Sequence, residues 1–392
     1  MDNFATNRRT VFLFGVDQEK SIGVHLKYYG GSYAMLVYSS KVVETGLIDT
    51  IRRSLERSGV DSIGLQLDDT YADLTPLDAA IARCKENRID FILAIGNENI
   101  ISSAKAIAVG AEPPDDINEI LSEGLEPESA LPLGVIVTEP GTGAELSDTM
   151  VISRKNTHGG LTIYESSGEC IIPRFAVLNP ELTDCFPSRL GDVCANLFAR
   201  VAESYFTNSR CVELTDRVCE GIMSTVKIEI EKLLEYPHNN EAIANLMWAG
   251  VLANGETSLD REQDLALERF AYAFSSLYGC SHAQGMAVVL PAWLEFVLNH
   301  NPMRLAQFSS RVFGRSLDFA NPITTARQGI VDLRNMFGKC GLPSKLEDIG
   351  GSGKDISRLL DLLIPEKSRT IGSYVKLDRT ACEVILAILM MH

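Results

Sequence analysis

Three stretches of helical pattern carry side chains able to hold a metal ion. Asp192 and Asn196 lie four residues apart, so on a helix they share a face. Glu268 and Tyr272 stand in the same relation on a later stretch, and His282 opens a third after Gly279-Cys280-Ser281. An acid, an amide, a second acid and an imidazole drawn from three helices can build an octahedral or tetrahedral divalent-cation site. The same spacing also describes an ordinary solvated helix face, so spacing alone leaves both readings open.

A second group of residues suits a nucleotide. Phe91-Ile92-Leu93-Ala94-Ile95 is a continuous apolar run that ends in the turn Gly96-Asn97-Glu98-Asn99, after which Ile100, Ala104 and Ile107 share a helical face. A buried parallel strand entering a helix through such a turn aims backbone N–H groups and the positive helix end at one spot, where a phosphate can sit. This turn is short of glycine and carries an acid, Glu98. Thr138 and the turn Gly141-Thr142-Gly143 follow another buried strand and offer hydroxyl and N–H groups to a diphosphate or a nicotinamide ribose. Ser39-Ser40-Lys41 follows a strand where an adenosine ribose would lie. An acid there would favour a free 2′-hydroxyl, whereas Ser and Lys tolerate a 2′-phosphate. Each of these turns also reads as an ordinary polar loop.

The elements that must position these residues come in two kinds. Up to about residue 185, short apolar runs alternate with helical periods. The strands are expected at 11–14, 33–38, 63–67, 91–95, 132–138 and 175–178, with a short antiparallel excursion at 150–152 and 161–164. This alternation predicts a doubly wound parallel sheet. Beyond Pro187 only helical periodicity remains, from Asp192 to Met391. Two domains follow, an α/β domain over 1–185 and an all-helical domain over 186–392.

The 392 residues carry 36 basic and 52 acidic side chains, a net charge of −16. That disfavours nucleic-acid and membrane-surface partners. No apolar run approaches the ~20 residues of a membrane helix, and Met1 to Arg9 lacks a signal-peptide core; a cytoplasmic protein is expected. The nine cysteines include no C-x-x-C pair, and Cys84, Cys194, Cys219 and Cys382 sit among apolar helical residues. Free thiols are expected, not a disulfide framework.

Taken together, the motifs resemble the iron-containing (group III) alcohol dehydrogenases, nearest the butanol-dehydrogenase-like, NADPH-using aldehyde reductases. The resemblance is carried by Phe14-Gly15, the segment Thr138–Arg154 with Lys155, Arg174-Phe175-Ala176-Val177-Leu178-Asn179-Pro180, Asn245-Leu246-Met247-Trp248-Ala249, His282-Ala283-Gln284 and Val288-Val289-Leu290-Pro291. It implies a nucleotide-binding parallel-sheet domain, a helical metal and substrate domain, and a site in the groove between them. It implies interconversion of an aldehyde and a primary alcohol with NADP or NAD and a divalent metal (Fe, Zn or Mn), in homo-oligomers such as dimers. Asp192, Asn196, Glu268 and His282 match the family's metal ligands, and Tyr272 matches a histidine given a proton-relay role. The cofactor residues would be Ser39, Ser40, Lys41, Gly96, Asn97, Asn99, Ser102, Thr138, Thr142 and Lys155.

Three departures stand out. Two of the four ligands are changed from histidine, to Asn196 and Glu268. The family's G-G-G-S-x-x-D-x-x-K reads Gly96-Asn97-Glu98-Asn99, then Ser102 and Lys105. Its E-P-N-P loop reads Asp69-Thr70-Tyr71-Ala72. A family member that has lost its metal and acts as a binding partner, or that runs different chemistry, is the alternative.

Overall fold

The computed structural model describes residues 9–114, 116–155, 160–183, 187–255, 257–365 and 369–391. These fall into two compact units, one drawn from 9–155 and 162–183, the other from 187–391 with 160–161. The boundary expected at 185/186 lies outside the described residues.

The first unit is built on a six-stranded sheet in the order β1 (Val11–Phe14), β8 (Phe175–Leu178), β5 (Leu133–Val137), β4 (Phe91–Gly96), β2 (Tyr33–Ser39), β3 (Asp61–Leu67). Every pairing in it is parallel. β6 (Thr149–Lys155) and β7 (Leu161–Ser167) form a separate two-stranded sheet. The central strands are apolar throughout because helices cover the sheet: every residue of β4 and β5 is buried. Phe175 stacks on Phe91 at 6.0 Å, and a Cβ at Gly134 would lie 2.2 Å from Phe175 Cζ. Glycine at 134 is therefore what lets the ring lie across β5.

Register decides what meets at the carboxyl edge. Tyr38 pairs with Ile95, Ser39 with Leu67, and Gly96 with Val137. Ser39, Asn97, Thr138 and the residues after Leu67 thus leave the sheet at one level. The chain turns from β2 to β3 on one side and to β4 on the other, so this level is a topological switch point, where open α/β sheets take ligands.

Nine α-helices make up the other unit among the described residues, from Pro187–Tyr205 to Arg379–Met391. The first begins five residues ahead of the expected Asp192, because Leu190 is buried and extends the apolar stripe of Val193 and Leu197. Its core is aromatic: Phe206 lies 5.6 Å from Trp293 and 5.7 Å from Phe308. Arg261, wholly buried, is neutralised by Asp216 at 2.8 Å and Asp260 at 3.0 Å. No helix among the described residues is long and apolar enough to cross a membrane.

Candidate functional site

In the sheet unit, the turn after β4 is closed by its own side chains. Asn97 is the N-cap of the helix Glu98–Ala111, and its Oδ1 accepts from the amides of Asn99 (3.2 Å) and Ile100 (3.3 Å). Asparagine suits this position because its short carbonyl reaches the orphan N–H groups of the first turn. Gly96 precedes it because a Cβ there would lie 2.8 Å from Ile100 Cβ. Asn97 Nδ2 donates to Asp69 O at 3.0 Å, and Asn99 Nδ2 donates to Asp69 O and Thr70 O, both at 3.1 Å. The loop after β3 is thereby stapled over the helix start. Lys41 Nζ stands 3.3 Å from Asp69 Oδ2, and Lys155 Nζ lies 5.6 Å over the Tyr71 ring.

The expected cofactor residues therefore divide. Lys41, Gly96, Asn97 and Asn99 belong to one linked cluster, and the Thr138 amide joins it by donating to Gly96 O at 3.1 Å. Lys41 and Thr138 also line one cavity of about 250 Å³ with Thr45, Thr50, Glu181 and Thr183. Ser39 is buried at the end of β2, and Ser40 is exposed as the first residue of the short helix Ser40–Glu44, where an ordinary polar loop is the other reading of the sequence. Thr142 is turned inward on its own turn, where its hydroxyl accepts from the Ala144 amide at 3.4 Å. Ser102 accepts from the Val151 amide at 3.4 Å, a structural tie to β6. Lys105, three residues on, is fully buried and donates to Ser147 O (2.7 Å) and Thr149 O (2.9 Å). Burial pulls its ammonium down to about 7, against the opposing charges of Glu145 and Asp148.

In the helical unit, the helix Pro187–Tyr205 presents Asp192, Asn196, Arg200 and Glu203. The helix Ala266–Tyr278 carries Glu268 and Tyr272 and stops at Gly279, whose φ is +70°. His282 is the first residue of His282–Val297, behind an N-cap box in which Ser281 Oγ accepts from the Gln284 amide at 3.1 Å. Tyr272 and His282 have ring centroids 5.2 Å apart. Burial lowers the His282 imidazole, with Glu268 raising it and Arg200 adding to the lowering. The His282 Nε2 is buried with no hydrogen-bond partner, and Asn196 Oδ1 is buried and unpartnered in the same way. Burial raises the Asp192 carboxyl, opposed by Arg189.

The group that spacing did not single out is Arg200. Its Nη1 lies 3.2 Å from Glu268 Oε1 and 3.8 Å from Glu203 Oε2, and its Nε donates to Asn254 Oδ1 at 2.8 Å. Asn254 is itself held by donating to Gly250 O at 2.9 Å. Glu203 is wholly buried and accepts from the Glu268 amide at 3.3 Å. Burial, with Glu268's charge, lifts Glu203 well above the carboxylate range, and Arg200 only partly offsets this. Arg200 stands four residues after Asn196 and eight after Asp192. Carrying the same helical spacing one turn further would have found it.

These donors do not fit a divalent metal as they stand. Among the described residues no three His, Cys, Asp or Glu side chains gather to hold an ion. Asn196 offers a neutral carbonyl, and Glu268 already faces a guanidinium. A second cation about 4 Å from Arg200 would be repelled by about 4 kcal/mol per unit charge at an effective dielectric of about 20.

Over residues 9–180 the chain matches the family described as iron-containing alcohol dehydrogenase, and over 194–390 the C-terminal part of the Fe-containing alcohol dehydrogenase family. It is 28% identical to a probable NADH-dependent butanol dehydrogenase 1 of Bacillus subtilis, over 99% of both chains. It is 30% identical to the NADPH-dependent aldehyde reductase YqhD of Escherichia coli, over 93% of each. Among solved structures it is similar to an NADH-dependent butanol dehydrogenase A from Thermotoga maritima, with a TM-score of 0.91 and 26% identity over 100% of this chain and 99% of that one. With both units matched in order and nearly end to end, the chain belongs to the iron-containing alcohol dehydrogenase family.

Proposed function

We propose that this chain interconverts an aldehyde and its primary alcohol with NADPH or NADH. The observation that carries this reading is the two buried, unpartnered atoms Asn196 Oδ1 and His282 Nε2 in a chain that matches the family over residues 9–180 and 194–390. Buried polar atoms without partners are costly and gather where a ligand completes them. When bound, the reduced nicotinamide supplies hydride to the carbonyl carbon. The protein's part is then to hold the oxygen and give it a proton. Tyr272, whose ring lies 5.2 Å from that of His282, carries a hydroxyl suited to that transfer. Lys41, Thr138 and Ser39 take the ribose side of the nucleotide at the switch point. Lys41 would tolerate a 2′-phosphate, and Asp69 beside it would suit a free 2′-hydroxyl, so the reading covers both nucleotides. Asp192, one turn before Asn196 on the same helix, would share its face. A homodimer is part of the proposal, and sedimentation reads it directly.

One observation favours a second reading, a member that binds a partner or ligand without hydride transfer. Asn97 already takes two amides that a pyrophosphate would need. Fluorescence titration with NADPH and NADH, followed by nicotinamide absorbance with short aldehydes, separates the two. Saturable binding with aldehyde-dependent oxidation supports the first reading; no binding of either nucleotide leaves only the second.

A further inference from the structure

We propose that Arg200 is the resident cation of the polar cluster in the helical unit: its guanidinium stands at Glu268 in place of a divalent ion, and its presence is what keeps metal out. The guanidinium is a fixed part of the cluster. It is tied through Nε to Asn254 Oδ1 (2.8 Å) and through Nη1 to Glu268 Oε1 (3.2 Å), with Glu203 Oε2 at 3.8 Å. Asn254 in turn is fixed to its own helix. Such a planar, permanently charged fork at a carboxylate is a good counter-ion and a poor neighbour for a second cation.

The remaining donors agree with this. Asn196 is a neutral amide, and Glu268, the acid nearest the guanidinium, is spent on Arg200. Sites for hard or borderline cations draw on several carboxylates or imidazoles free to turn inward. No such group of three exists among the described residues. To admit a metal, Arg200 would have to swing away from Glu268, Asn254 and Glu203 together. The inference concerns the charge at Glu268 and stands apart from the proposed reaction.

The test uses the full chain, stripped with chelator and titrated calorimetrically with Zn²⁺, Mn²⁺ and anaerobic Fe²⁺, with metal content and thermal midpoint read in parallel. Wild type and Arg200→Lys should show no saturable site that depends on Glu268. Arg200→Ala should melt earlier without metal. It should bind Zn²⁺ or Mn²⁺ at least about tenfold more tightly than wild type, with a midpoint that climbs with metal concentration. Adding Asn196→His should tighten binding further, and Glu268→Ala should abolish it. Wild-type protein that purifies with about one equivalent of metal, lost in Glu268→Ala, overturns the inference. So does an Arg200→Ala variant no better at binding metal than wild type. Should Arg200→Ala fail to fold, wild type against Glu268→Ala decides by metal content alone. Nucleotide titration of the same stocks keeps the two claims apart. Loss of nucleotide binding with metal still refused sinks the oxidoreductase reading only, and metal in the wild type sinks this inference only.

Discussion

At the scale of single residues, burial decides protonation at several positions, and two of these give sharp expectations. Glu203 has one oxygen accepting from the Glu268 amide and one with no hydrogen bond, 3.8 Å from Arg200 Nη1, in a wholly buried side chain whose proton affinity burial raises. A protonated acid is matched closely in shape and polarity by an amide. Glu203→Gln should therefore leave the thermal midpoint nearly unchanged, whereas Glu203→Ala leaves the Glu268 amide unsatisfied and costs about 1–3 kcal/mol. Equal losses in both variants would show that Glu203 is ionised and paired with Arg200. Lys105 makes the matching case for a base. Its folded value is about 7 against an ordinary 10.5, lowered by burial. Between those values the unfolded chain binds a proton that the folded chain has shed, so this group adds stability as pH rises through that window. The slope is about 1 kcal/mol per pH unit while the difference persists. Lys105→Met should remove this rise, so that the stability difference between wild type and variant changes from pH 7 to pH 9 in favour of wild type. A difference independent of pH would mean that Lys105 stays charged in the fold.

At the scale of elements, the helix Glu98–Ala111 shows what was legible and what was not. The apolar run into Gly96 predicts both the strand and the helix, and they occur as Phe91–Gly96 and Glu98–Ala111. Periodicity predicts one buried stripe through Ile100, Ala104 and Ile107. The helix is in fact buried on all sides from Ile100 to Ala111, Ser102, Ser103 and Lys105 included. A polar residue inside an element is no guide to its exposure when backbone carbonyls such as those of Ser147 and Thr149, more than forty residues on, are what satisfy it. The Asn97 cap, by contrast, was open to reading, since asparagine is among the strongest N-caps. What the sequence hid was that the same side chain ties down the loop at Asp69, a partner 28 residues away. This suggests a direct test. Asn97→Gly costs a cap only a few tenths of a kcal/mol, because glycine is itself tolerated there. It also frees the amides of Asn99 and Ile100 for a phosphate. The expected result is tighter NADPH binding, with a loss of stability of roughly 1 kcal/mol from the missing Nδ2 bond to Asp69. Weaker binding would mean that Asn97 and its staple to Asp69 are part of the nucleotide site.

At the scale of the whole molecule, the excess of 52 acidic over 36 basic side chains leaves −16 charges to repel one another. The cations with structural duties are largely withdrawn from water: Arg261 is wholly buried against Asp216 and Asp260, and Arg304 pairs with Asp216 as well. Screening acts through solvent, with a Debye length of about 30 Å at 0.01 M salt and about 10 Å at 0.1 M. Added salt thus weakens repulsion among surface acids while leaving these buried pairs almost untouched. Exposed pairs such as Arg217–Glu213 and Lys20–Asp17 will also weaken, but each contributes roughly 1 kcal/mol at most. The repulsion is summed over the entire surface, so it should dominate. The thermal midpoint should rise as sodium chloride goes from about 10 to about 150 mM, and level off once the Debye length falls below the spacing of surface charges. A midpoint that falls over this range would show that local ion pairs outweigh the net charge.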